Sequence, residues 1–163
     1  MTTLEVHHLV DSQNRLSDPT LAPAKSFVWS SPCIRIGFFF DLEVSNKEKV
    51  EITYDTAWAL LDTGADGIYV DHALIQKFNC PIAQGGENMT VNALETSRAY
   101  RGSLFVIEQA RVLDMWVMAR DFRREKRPFD IVLGRRFLQF CDLRWNGPSQ
   151  SVILTIGQNG GGY

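Results

Sequence analysis

The chain is poor in the residues that build the commoner covalent and metal centres. Its 163 residues include only three cysteines (Cys33, Cys80 and Cys141) and three histidines (His7, His8 and His72). An odd number of cysteines at wide, irregular spacing is not a disulfide framework and lacks the paired spacing of a zinc site. They read as reduced, buried thiols. The histidines are too scattered to form a ligand cluster, so no metal and no cofactor is expected. The formal net charge of -2 is too near neutral to argue for a nucleic-acid or anionic-membrane partner. No apolar run approaches the roughly 20 residues of a bilayer span. The longest candidate, Ile34 to Phe40, is strand-sized and holds Arg35 and Gly37. Met1 to Thr20 has no basic segment followed by an apolar stretch, so it does not read as a signal peptide. These absences lead to the expectation of a cytoplasmic protein.

What is present is an ordinary globular composition. Hydrophobic residues make up 45% and charged residues 22%, and the length suits one domain with a modest core. Segment 1–25 is polar, holds Pro19 and Pro23, and is expected to be a flexible leader or extended arm. Segment 26–156 carries the apolar patterning and is expected to be the folded domain. Segment 157–163 is Gly-rich and reads as a flexible tail.

Within the domain the pattern is mainly β, with one or two short helices. Phe27, Trp29, Ile34, Ile36, Phe38 and Phe40 alternate, with an interruption at Ser31-Pro32. Val50 to Tyr54 alternates again. Ala57 to Leu61 is continuously apolar, as in a strand covered on both faces. Ile68 to Val70 follows, and Asp71 is placed to cap a short helix reaching Phe78, before Asn79 and Pro81. Met89 to Leu94 and Tyr100 to Ile107 read as strands around a polar tip, Glu95 to Arg98. Arg111 to Met118 and Asp130 to Leu133 are further strands. Arg135 to Phe140 is a short helix, and Leu143 to Trp145 with Val152 to Ile156 a terminal hairpin.

Chemistry concentrates at Asp62. A carboxylate there ends an apolar strand and is costly unless it is hydrogen-bonded or shares a proton. Gly64 follows, allowing a tight turn or a close backbone approach. The longer segment Leu60-Leu61-Asp62-Thr63-Gly64-Ala65-Asp66 resembles the catalytic loop of the retropepsins, the retroviral-type aspartic proteases. Ile131-Val132-Leu133-Gly134-Arg135 resembles that family's second element, in the family's order and at a similar separation.

The resemblance implies a single-lobe, closed β-barrel-like acid protease fold. It also implies a homodimer, because one Asp-Thr-Gly supplies half of a two-aspartate site. It assigns Asp62 as catalytic, Thr63 as the hydroxyl that fixes paired loops, and Gly64 as a carbonyl facing the substrate backbone. Asp66 would bind substrate main chain and pair with Arg135. Ala65 and Val132 would line the substrate pocket. The implied activity is that of an aspartic endopeptidase acting on extended polypeptide; the alternative is a silent dimerisation or peptide-binding module of the same fold. The flap that covers substrate in the family is expected within Val91 to Gly102. Arg120, Arg123, Arg124, Lys126 and Arg127 read as a solvated basic loop, with a nucleic-acid or acidic-substrate patch as the alternative.

Overall fold

Strands whose apolar residues alternate in phase can bury one face only by closing on themselves or by packing on another layer. This chain does the first. The computed structural model describes residues 1–10, 30–41, 52–84, 89–92 and 95–157. Its strands are β1 (Thr2–Leu4), β2 (His7–Leu9), β3 (Ser31–Phe39), β4 (Asp55–Leu61), β5 (Ile68–Asp71), β6 (Met89–Asn92), β7 (Glu95–Ser97), β8 (Ala99–Val106), β9 (Arg111–Arg120), β10 (Ile131–Leu133), β11 (Cys141–Asn146) and β12 (Ser151–Ile156). Two short helices, α1 (His72–Lys77) and α2 (Arg135–Leu138), follow β5 and β10.

Six strands close a barrel in the order β3, β4, β10, β5, β9, β8, and β8 returns to pair with β3. The mainly β, closed-barrel expectation is borne out. Inside sit Ile34, Ile36 and Phe38 of β3, Ala59 and Leu61 of β4, and Ile131 and Leu133 of β10. Burying each of the larger aliphatic side chains contributes on the order of 1.5–3 kcal/mol. The intervening residues point outward, and some are covered as well. Val132 and Tyr69, paired across β10 and β5, join Leu9, Cys33, Met118 and Phe129 in a second cluster on the barrel's outer face. The central strands therefore have two buried faces, which explains the unbroken apolar run at Ala57 to Leu61.

Strand β10 positions the site. It runs parallel to β4, with Leu133 abreast of Leu61, and antiparallel to β5. The residues that follow β4 and β10 therefore emerge side by side. Asp71 accepts from the Ala73 N–H at 2.9 Å and caps α1, which buries Leu74 and Ile75. Asn79, at φ 49°, ends the turn.

The structure corrects four local expectations. The first ten residues are not flexible: β1 pairs with β12 and β2 with β3, and Leu4 and Leu9 are each buried in a hydrophobic cluster. Residues 11–29, including most of the expected arm, lie outside the described residues. Pro32 does not interrupt β3 but sits within it, opposite His8 of β2. Glu95 to Ser97 is a strand rather than a turn, because Thr90 and Thr96 pair across β6 and β7 and suit a sheet. The flap expectation at Val91 to Gly102 shrinks accordingly, since Ala99 to Gly102 belong to barrel strand β8. The 45–49 turn and the Gly-rich tail beyond Gly157 lie outside the described residues. No helix among the described residues is long and apolar enough to cross a membrane.

Candidate active site

The parallel pairing of β4 with β10 brings the two sequence elements into direct contact. The Asp62 N–H donates to the Leu133 carbonyl at 3.2 Å, which extends the ladder by one step. The chain then turns back, and the Ala65 N–H donates to the Asp62 carbonyl at 3.3 Å. Within this turn Oδ1 of Asp62 accepts from the Gly64 N–H at 2.8 Å and from the Ala65 N–H at 3.3 Å. Two backbone donors on one oxygen fix the orientation of the carboxyl group. A Cβ at Gly64 would lie 3.2 Å from Oδ1, so glycine keeps this approach open.

Helix α2 braces the loop from behind. The first N–H groups of a helix have no partners within it. Here they donate to successive loop carbonyls: Gly134 to Gly67 at 2.9 Å, Arg135 to Ala65 at 2.9 Å, and Arg136 to Asp66 at 3.0 Å. A Cβ at position 134 would collide with the Gly67 carbonyl oxygen and lie 2.6 Å from that of Ala65. Gly134 is therefore required by close backbone approach, which is why a Gly-Arg pair marks this element in the sequence.

Of the residues singled out from the sequence, Asp62, Gly64, Ala65, Asp66, Val132 and Arg135 line one open cleft of about 390 Å³. Thr63 is exposed on the same loop, and its carbonyl accepts from Nη1 of Arg135 at 3.4 Å. The expected Asp66–Arg135 ion pair is not formed. Asp66 instead accepts from the Tyr69 hydroxyl at 2.7 Å. The two are only three positions apart, so this bond orders less chain than reaching a long guanidinium would. It holds the Asp66 carboxyl below the usual carboxylate range, while the Arg135 charge adds a smaller pull in the same direction. Burial, then the Asp66 carboxylate, push the Tyr69 hydroxyl up to about 12.

Three cleft residues were not singled out as site residues from the sequence: Tyr69, Arg120 and Phe122. Tyr69 lies in the outward phase of β5, between buried Ile68 and Val70, where a strand reading sees only an apolar triplet. The Arg120 guanidinium lies over the Tyr69 ring, 5.5 Å from its centroid. Phe122 packs edge-on against Phe129 at 5.3 Å. The signal for Arg120 was its alternation with Met118, which places both on the outer face of β9. Of the rest of the basic segment, Arg123 is tied to the barrel. The Arg123 N–H donates to Oδ2 of Asp71, and its Nε to Oδ1 of Asp130, both at 2.8 Å.

Comparison of the chain with protein-family models and with curated proteins finds no match.

Proposed function

We propose that the chain is an aspartic endopeptidase of retropepsin type, working as a homodimer in which two copies of Asp62 meet. The observation that carries this reading is the geometry of one loop. Asp62 follows a strand end, its Oδ1 is held by the Gly64 and Ala65 N–H groups, and the loop is pinned to Gly134 and Arg135 beside an open cleft. A rigid carboxylate facing a cleft large enough for a side chain suits hydrolysis better than a structural role. The sequence holds one Asp-Thr-Gly, so a two-carboxylate site takes two chains.

Two apposed carboxylates cannot both ionise easily and share a proton, so the pair titrates as a unit. The ionised member takes a proton from a water held between them, and that water attacks the scissile carbonyl. The protonated member donates to the developing oxyanion. Proton return to the amide nitrogen lets the tetrahedral intermediate collapse. The loop's part is to hold the carboxyl planes so that little reorganisation accompanies charge movement. Gly64 and Asp66, at the cleft margin, would hydrogen-bond the extended substrate backbone, and Ala65 and Val132 would contact its side chains.

Asp62→Asn in the full chain tests the reading, with a peptide library assayed between about pH 4 and 6, where a shared-proton pair works. Cleavage should fall by about 10³-fold or more with folding unchanged. Equal cleavage by variant and parent would sink the mechanism. Sedimentation should show a dimer under active conditions, and an active strict monomer would contradict the half-site argument.

A further inference from the structure

We propose that Tyr69 is a positioning residue for substrate binding: its hydroxyl fixes the Asp66 carboxylate as an acceptor for a backbone N–H of the bound polypeptide. This rests on the peptidase reading above and adds to it the group that aims Asp66. Tyr69 stands abreast of Val132 on β10 and of Met118 on β9, and is only 8% exposed. The other buried members of its cluster are apolar: Leu9, Cys33, Met118, Phe129 and Val132. Packing therefore holds the ring, and its hydroxyl donates to Oδ1 of Asp66 at 2.7 Å, with both residues lining the cleft. Gly67 makes room for this anchor. A Cβ there would collide with Cε of Met118 and lie 3.7 Å from two carbons of the Tyr69 ring.

Asp66 is exposed. Unheld, such a carboxyl samples several rotamers, and a substrate that used it would have to order it on binding. A bond from a buried ring orders it beforehand. A carboxylate has roughly four acceptor sites on its two oxygens, and the hydroxyl occupies one of them. Acceptor capacity thus remains for a donor in the cleft. The surroundings favour a neutral donor over a cation. Arg135 lines the same cleft and its charge already acts on Asp66, so a second positive charge is opposed there. An extended polypeptide presents a neutral donor at every residue other than proline.

Ionisation is part of the role, because an ionised carboxyl is acceptor-only and can take both bonds. The Tyr69 bond, with smaller pulls from the N–H groups of Asp66 and Gly67 and from the Arg135 charge, holds Asp66 below the usual carboxylate range. Around Tyr69, burial and then Asp66 raise the hydroxyl, with Asp62 acting in the same direction and the Arg120 charge against them. The hydroxyl therefore stays a donor throughout the acid range.

The test uses the full-length protein and a peptide that it cleaves. Tyr69→Phe should raise KM about fivefold near pH 5 and change kcat by about twofold or less. The ratio of variant to parent KM should widen as pH falls through about 4, where Asp66 of the variant takes up a proton and that of the parent does not. With Asp66→Ala already in place, Tyr69→Phe should have no further effect on KM. Reduced-amide hexapeptides, which bind without being cleaved, are then N-methylated at one position at a time. At one position the methyl should weaken binding to the parent about tenfold, and binding to Asp66→Ala far less. Asp66→Asn, which keeps an acceptor, should retain part of this sensitivity and guards against a loop disturbed by Asp66→Ala. A loss confined to kcat, an equal effect of Tyr69→Phe in the Asp66→Ala background, or no N-methyl position that depends on Asp66 overturns the proposal. Cleavage with KM unchanged in Tyr69→Phe overturns the positioning role and leaves the peptidase standing. Coupled loss of reduced-amide binding in Tyr69→Phe and Asp66→Ala, with no cleavage of the corresponding peptides, does the reverse.

Discussion

Two exposed, charged segments, at opposite ends of strands β5 and β10, both contribute to the cleft and are held in different ways. The Asp62–Gly67 loop is pinned by backbone: its carbonyls at Ala65, Asp66 and Gly67 take N–H groups from Gly134 to Arg136. The Asp121–Arg127 turn is pinned by side chains: Asp71 and Asp130 take the backbone and guanidinium of Arg123. Backbone pinning fixes atoms closely but demands that a neighbour have no side chain. Side-chain pinning makes no such demand on the backbone that supplies the partner. The segment proposed to be catalytic has the stricter arrangement, and the segment that contributes Phe122 to the cleft has the looser one.

Breaking the backbone brace should have the largest effect. Gly134→Ala sets a methyl against the carbonyl oxygens of Gly67 and Ala65, so the loop must move away from α2. We expect a loss of about 3 kcal/mol in unfolding free energy, measured by urea titration, together with loss of activity. A folded, fully active variant would show that the brace does not set the loop. On the other segment, Asp71→Ala removes the α1 cap and the acceptor for the Arg123 N–H at once. The expected cost is about 2 kcal/mol, with peptide affinity changed more than turnover. Arg123→Ala should cost less than Asp71→Ala, because the backbone donor to Asp71 survives; a larger cost would reverse the contrast drawn above.

The smallest expected effect sharpens the comparison from within the cleft. Tyr69→Phe removes the hydroxyl on Asp66 and should cost about 1 kcal/mol or less, given how exposed Asp66 is. Its pH dependence is specific. The Asp66 carboxyl is depressed when folded, so its contribution is complete above the ordinary carboxylate range and fades as pH falls through the lowered value. The Tyr69 hydroxyl is raised to about 12, so its contribution is complete below the ordinary tyrosine value near 10 and is lost as pH rises toward about 12. The stability difference between parent and variant should therefore be flat between roughly pH 5 and 9 and shrink at both ends. A difference that grows at either end would contradict the assignment.

The site was more legible in the sequence than the path that builds it. Asp62, Gly64 and Gly134 follow local rules: a carboxylate needing donors, and glycines where a Cβ has no room. Those requirements leave a mark in the order of residues. The parallel register that sets Leu61 beside Leu133 joins segments far apart in the chain, and no periodicity encodes it. The barrel strands were readable because one face alternates cleanly. Strands β1 and β2 were not, since each carries a single deeply buried apolar residue, Leu4 or Leu9, in polar surroundings. Arg135 was placed correctly beside the loop but given the wrong partner, because Tyr69 was read only as part of a strand. Arg120 was read as one charge among five in a solvated run, although the last residue of a strand still obeys the strand's alternation.

The brace between α2 and the loop also sets a schedule. Thr63 and Arg135 are 72 residues apart. On a chain being synthesised, Asp62 emerges long before the groups that shape its turn exist, by an interval on the order of ten seconds at typical elongation rates. Until then Ala65, Asp66 and Gly67 have only water for their carbonyls. The hydrogen bonds that brace the loop can form only once β10 and the residues after it have been made.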